Sequence, residues 1–275
     1  MGLEMPIQAT ALRAVPSPAK EPAASDIAAR LSAGYAPLDL PARLRAIREA
    51  LPGRIALTTG FGLEGQAITH AVFESGLAID VVTLDTGRLF PETYDIWMRT
   101  EQRYRRRIRG FSPDQERVEG YVAREGVNGF RNSIEARQAC CSIRKVEPLR
   151  RALAGASGWI TGVRSDQSRT RAVMAYASVD SNYGLVKINP LLDWTREQVL
   201  DYVRANDIPY NALHDRGFPS IGCAPCTRAI APGESERAGR WWWEQEDKKE
   251  CGLHVSRAPE RAPQQRERAL AEQDS

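Results

Sequence analysis

Lysine, histidine and cysteine are scarce in this chain of 275 residues, and each scarcity narrows the reading. Only Lys20, Lys145, Lys187, Lys248 and Lys249 carry an ammonium group, and arginine supplies the remaining positive charge. The net charge of +3 is too small to indicate nucleic acid as a partner. No run of about 18 apolar residues exists, so no membrane span is expected. The N-terminus lacks a charged segment followed by an apolar core, so no secretory signal is visible. A cytoplasmic, reducing compartment follows, in which clustered cysteines are metal-binding or catalytic rather than disulfide-bonded. Neither a G-x-G-x-x-G fingerprint nor a Walker loop is present, and no internal repeat is found.

What is present describes an ordinary soluble protein, 42% hydrophobic and 27% charged, large enough to bury a core without staples. Residues 1–38 are rich in Ala, Pro and Ser and read as a disordered leader. Residues 39–245 read as the folded unit, and 246–275 as a mobile, polar tail. Within the folded unit, helical and strand patterns alternate. A helix over Pro41–Leu51 precedes a strand over Arg54–Thr59, a glycine turn and a helix ending at Gly76. Further strands are expected at Ala78–Leu84, Ile108–Phe111 and Gly158–Val163. Helices are expected at Pro91–Arg105, Pro113–Glu125 and Lys145–Ala154. Asp180-Ser181-Asn182-Tyr183-Gly184 signals a hairpin between Ala175–Val179 and Leu185–Ile188. Thr195-Arg196-Glu197-Gln198 is a capping box that opens a helix. The alternation predicts a doubly wound, mainly parallel α/β sheet that binds its ligand at the carboxyl ends of the strands.

Three strand ends carry candidate ligand contacts. The first runs into Thr59-Gly60-Phe61-Gly62 and a helix N-terminus, where bare amides can hold an anion. The second ends in Leu84-Asp85-Thr86-Gly87. The fourth ends in Gly162 and continues through Arg164, Arg169 and Arg171, whose guanidinium forks match phosphate or sulfate. A tight turn and a solvated arginine loop are the plain alternatives.

The cysteines fall into two pairs and a remainder. Cys140-Cys141 are adjacent, Cys223-Ala224-Pro225-Cys226 follow downstream, and Cys251 stands alone in Glu250-Cys251-Gly252-Leu253-His254. Adjacent side chains diverge, which suits the spread irons of a [4Fe–4S] cluster better than one tetrahedral zinc. A Cys₄ zinc site and unliganded thiols remain as alternatives. His70 reads as structural, and neither His214 nor His254 is given a catalytic role. Trp241-Trp242-Trp243 reads as packing at the root of the tail, with a membrane or base-stacking patch as the alternative.

At these residues the chain resembles the thioredoxin-dependent assimilatory adenylyl-sulfate (APS) reductases. The resemblance is carried by Cys140-Cys141-Ser142-Ile143-Arg144-Lys145-Val146-Glu147-Pro148-Leu149, by Ser220 through Arg228, and by Glu250 through His254. Leu84 through Tyr94, Pro209 through His214 and Arg237 through Trp243 add to it. It implies an adenine-nucleotide hydrolase-like fold and reduction of APS to sulfite and AMP, within sulfate assimilation and cysteine biosynthesis. It also implies one [4Fe–4S] cluster on Cys140, Cys141, Cys223 and Cys226. Cys251 would be the nucleophile, forming an S-sulfonate that external thioredoxin releases. Lys145, Arg171, Arg237 and Arg240 would meet the oxyanions, and Thr59, Gly62, Leu84 and Gly162 would line the nucleotide. A homo-oligomer is compatible with the resemblance; nucleic acid and membrane are not expected partners. One departure stands out in the nucleotide loop: Phe61 replaces a hydroxyl and Gly65 replaces an acid.

Overall fold

The computed structural model describes residues 22–245 and Leu253. Its centre is a sheet of six strands: β1 (Arg54–Thr59), β2 (Asp80–Leu84), β3 (Arg109–Phe111), β4 (Ala156–Ile160), β5 (Ala177–Asp180) and β6 (Leu185–Ile188). Their order is β3-β2-β1-β4-β6-β5, parallel throughout except that β5 pairs antiparallel with β6 through the expected hairpin. The period of two in each strand divides its side chains between two cores. Ile55, Leu57, Val81, Ile160 and Ile188 face the larger one, among helices α1 (Ala24–Gly34), α2 (Leu40–Ala50), α3 (Leu63–Glu74) and α9 (Arg196–Ala205). Ala56, Val82, Trp159 and Leu185 face the other side, where α7 (Glu147–Leu153) packs. The sheet is therefore doubly wound, as the alternation predicted. The remaining helices are α4 (Pro91–Tyr104), α5 (Gln115–Glu125), α6 (Ile134–Cys141) and the short α8 (Arg169–Ala172).

Two regions differ from the sequence reading. The stretch expected to be a disordered leader contains α1, whose Ile27, Ala28 and Leu31 are buried in the larger core. Ser32 Oγ bonds both the carbonyl and the N–H of Ala177 on β5, at 3.3 and 3.2 Å, and Tyr35 stacks on Tyr176 at 3.8 Å. The helix is held by tertiary contacts that an Ala-rich composition does not announce. Replacing Leu31 by Ala is expected to cost about 2–4 kcal/mol in urea unfolding, as for a core leucine; an unchanged midpoint would return this segment to a leader. The expected tail lies outside the described residues, Leu253 excepted.

The second difference is the helix expected from Lys145. A π-helical turn, Ser142–Val146, stands between α6 and α7. Pro148 explains it: without an N–H it cannot close the regular bond four residues back, and the backbone widens there. The cysteine pair thus ends α6, and Lys145 sits in the widened turn.

Candidate active site

The winding direction reverses at β1 and β4, because β2 and β3 lie to one side of that pair and β6 and β5 to the other. Open α/β sheets leave a crevice at such a point. A cavity of about 250 Å³ opens there, over Thr58 and Thr59 of β1, Leu84 of β2, and Thr161 and Gly162 just past β4. Thr59, Gly62, Leu84, Gly162, Arg171, Arg237, Arg240 and Lys145, the eight expected site residues that are neither cluster cysteines nor Cys251, all line it. Leu253 lines it too, two positions after Cys251. Cys251 itself, with Lys248, Lys249 and His254, lies outside the described residues.

The altered nucleotide loop has a packing explanation. Phe61 adopts φ 57°, and its ring is fully buried against Trp97 at 5.7 Å, so it belongs to the core rather than to the cavity. Its N–H donates to Thr59 Oγ1 at 3.1 Å. A Cβ at Gly65 would lie 2.6 Å from that hydroxyl. The missing acid is therefore the space that Thr59 occupies.

Beneath the cavity lies a node that the sequence reading did not single out. Arg164 is fully buried; its Nε donates to Glu64 Oε1 at 2.7 Å and its Nη2 to both carboxylate oxygens of Glu236 at 2.8 Å. Its Nη1 also pairs with Asp166. Burial works against the Glu64 carboxylate, but the adjoining Arg164 guanidinium outweighs it and lowers the pKa. In Glu236 burial prevails over Arg164, and the pKa rises. Gln167 bridges this node to Arg171, donating to Glu64 and accepting from the Arg171 guanidinium. His214 lines the same cavity. Its Nδ1 faces the Phe218 carbonyl at 2.9 Å and so carries the proton. Burial, then Arg196, push its pKa down to about 4, which leaves the ring neutral at ordinary pH.

Cys140, Cys141, Cys223 and Cys226 are buried and outside any disulfide among the described residues, and all four line a second, smaller cavity with Arg88, Arg137, Arg144 and Lys145. Lys145 and Cys223 border both cavities. Thr86 Oγ1 lies 3.3 Å from Cys223 Sγ, and Arg144 Nη1 donates to the Thr86 carbonyl at 2.7 Å. Ala224 N–H bonds the Arg88 carbonyl at 2.8 Å, so the Leu84–Arg88 loop braces the cysteine segment as well as flooring the first cavity. Burial, then the neighbouring Cys223, push the free Cys226 thiol up to about 11, while Lys145 and Arg240 pull it down.

Four buried thiols around one small cavity, bordered by cations, form a donor set that fits an iron–sulfur cluster. Among the described residues, no three His, Cys, Asp or Glu side chains gather as a single-ion site.

The segment after the second cysteine pair carries Arg237 and Arg240 of the first cavity. Thr227 and Arg240 form an antiparallel bridge, and Trp241 N–H donates to the Cys226 carbonyl at 3.2 Å. Trp241 is buried between two guanidinium groups, Arg137 at 4.9 Å and Arg240 at 4.6 Å from its ring centre, which is packing at the root of the tail. Arg240 lies directly against Gly222, where any Cβ would overlap the guanidinium. The displaced group is the end of a flexible side chain. Gly222→Ala is therefore expected to leave thermal stability nearly intact while lowering turnover about ten-fold, the cost of one misplaced charged donor. Unchanged turnover would remove Arg240 from the site.

Arg164, expected to face an oxyanion, is instead taken up by Glu64 and Glu236, a pairing out of reach of sequence reasoning. Their bonds join positions 100 and 72 residues apart, and nothing local marks them.

Fold and site together define a doubly wound, mainly parallel α/β protein with a cation-lined cavity at the switch point. Residues 54–229 match the phosphoadenosine phosphosulfate reductase domain. The chain is 53% identical over 240 residues to the adenosine 5'-phosphosulfate reductase of Agrobacterium fabrum, covering 87% of this chain and 92% of that one. It is 49% identical over 209 residues to the enzyme of that name from Allochromatium vinosum, covering 76% and 82%. Among solved structures, phosphoadenylyl-sulfate (PAPS) reductase from Candida auris, a phosphate complex, superposes with a TM-score of 0.63 at 28% identity, covering 74% of this chain and 95% of that one. The chain belongs to the phosphoadenosine phosphosulfate reductase family.

Proposed function

We propose that this protein reduces adenylyl sulfate to sulfite and AMP, in sulfate assimilation, with thioredoxin as the external reductant. The observation that carries the reading is the cavity at the switch point. Strand-end backbone suited to a nucleoside and four cationic side chains suited to its oxyanions share one wall with Cys223.

The Cys251 thiolate attacks the sulfur of the sulfate group. An S–S bond forms, the bond from sulfur to the bridging oxygen breaks, and AMP leaves with that oxygen. A thioredoxin thiolate then attacks Cys251 Sγ, and sulfite departs with the electron pair of the broken bond. The second thioredoxin thiol resolves the mixed disulfide, so the two electrons come from the dithiol. Lys145, Arg171, Arg237 and Arg240 hold the sulfate and phosphate oxygens while negative charge shifts onto the leaving AMP. Thr59, Gly62, Leu84 and Gly162 shape the nucleoside end. Leu253, two positions after Cys251, packs among apolar side chains beside the cysteine cavity and against Trp159 and its neighbours on the sheet.

Cys140, Cys141, Cys223 and Cys226 would hold a [4Fe–4S] cluster, which when bound would supply a fixed charge beside Lys145. With those four thiols so used, Cys251 is the nucleophile. The close relatives named for adenosine 5'-phosphosulfate support APS as the substrate, and the Candida auris structure supplies the 3′-phosphorylated competitor to test.

Anaerobically purified protein is expected to contain about four irons per chain and to release sulfite from APS with thioredoxin. Its kcat/KM for APS is expected to exceed that for PAPS. A preference for PAPS would reassign the substrate, and no sulfite from either would end the reading.

A further inference from the structure

Arg164 is a cation beside this cavity whose fork is already taken up by carboxylates. It is fully buried and does not line the cavity, whereas its partners Glu64 and Glu236 both do. Those partners come from separate segments. Glu64 opens α3 behind the nucleotide loop, Asp166 follows β4, and Glu236 immediately precedes Arg237. The segment 235–240 belongs to no helix or strand. Its backbone is held by local turns, Ala238 N–H to Ser235 O and Arg240 N–H to Arg237 O, and by the bridge to Thr227 at its far end. At its near end Glu236 fastens it, both carboxylate oxygens meeting Arg164 Nη2 at 2.8 Å. The other two guanidinium nitrogens go to Glu64 and Asp166, so the planar fork fixes the direction of all three carboxylates.

Resting on the function proposed above, we infer that Arg164 and Glu236 are positioning residues. They tie the nucleotide loop to the arginine segment and set where Arg237 stands in the cavity. The tie also eases a charge problem. Two carboxylates in the wall of a cavity that receives an anion would repel it, and their shared engagement with one guanidinium reduces that repulsion. Arg237 already holds the substrate oxygens in the bound ground state, so disturbing the node should appear in KM and in nucleotide affinity more than in kcat.

The test uses the cluster-loaded enzyme, with steady-state kinetics on APS and calorimetry with AMP. Glu236→Gln presents an amide to Arg164 Nη2 and removes the charge-assisted pair while leaving Glu64–Arg164 in place. It is expected to raise KM about ten-fold, the effect of one lost charge-assisted pair, with kcat changed less than about three-fold. Arg164→Lys keeps the charge but loses the fork, and should do the same. It serves as the second probe should Glu236→Gln fold poorly. In an Arg237→Ala background, adding either substitution should change KM less than about two-fold, because the residue through which the node acts is gone. A KM within about two-fold of wild type for both single variants would overturn the inference. So would a full effect that persists without Arg237. Wild-type enzyme that makes no sulfite from APS would instead overturn the function on which this rests.

Discussion

Cys251→Ser is expected to keep the iron content and visible colour of the wild-type protein and to lose sulfite production by roughly four orders of magnitude or more. The two halves of that result test different things. Retained iron follows because Cys140, Cys141, Cys223 and Cys226 line the smaller cavity and supply the four thiolates a cluster needs without calling on Cys251. Lost turnover follows because a serine hydroxyl is almost wholly protonated near neutral pH, while a thiol supplies an appreciable fraction of thiolate. Serine also cannot take part in the exchange that thioredoxin completes. AMP affinity should stay near wild type, since the residues lining the nucleotide end are untouched. A Cys251→Ser protein that still turned over would move the nucleophile to one of the four buried cysteines. Those are poorly suited, because burial raises the pKa of Cys140 and of Cys226 as free thiols.

Lys145→Gln is the second large effect. Lys145 is the one described lysine that borders both cavities, and it belongs to the π-helical turn between the cysteine pair and α7. Substrate oxyanions and cysteine sulfurs therefore draw on the same ammonium group. Removing one preorganised cation from developing negative charge lowers kcat about 10²–10³-fold. Here the neighbouring thiolates lose a cation as well. Lys145→Gln is expected to fall in that range for kcat/KM and to show an altered visible spectrum, because charge beside a cluster tunes it. Lys145→Arg should recover only part of the loss, since the fork cannot occupy the position of a compact ammonium. A rate change without any spectral change would confine Lys145 to the substrate side.

Much of this was readable from local chemistry. Thr195 and Gln198 form the reciprocal caps that their spacing announces, with bonds of 2.8 and 3.2 Å. The hairpin signal at 180–184 is a turn in which Asn182 N–H bonds Asp180 Oδ1 at 2.9 Å and Gly184 takes φ 66°. Strand–helix alternation gave the winding, and the winding placed the cavity. Thr59, Gly62, Leu84 and Gly162 meet there because strand ends in a parallel sheet share one edge; Lys145, Arg171, Arg237 and Arg240 arrive from the π turn, α8 and the segment after Cys226. What stayed hidden depends on partners far along the chain. Helix α1 is held by β5, β6, α2 and Tyr176. The π turn arises from Pro148 acting on carbonyls before it. Arg164 looked like one of several ligand-facing arginines, and only the positions of Glu64 and Glu236 show that its fork is already occupied. Thr86, read as part of a nucleoside loop, proves also to touch Cys223.

The central claim is that Cys251 takes the sulfonate. Mass spectrometry of wild-type protein incubated anaerobically with APS, without reductant, tests it most directly. The peptide containing Cys251 is expected to gain about 80 Da, the mass of SO₃, and to lose it as sulfite when reduced thioredoxin is added. Sulfite release with no adduct on Cys251, or an adduct on one of the other four cysteines, would contradict the account.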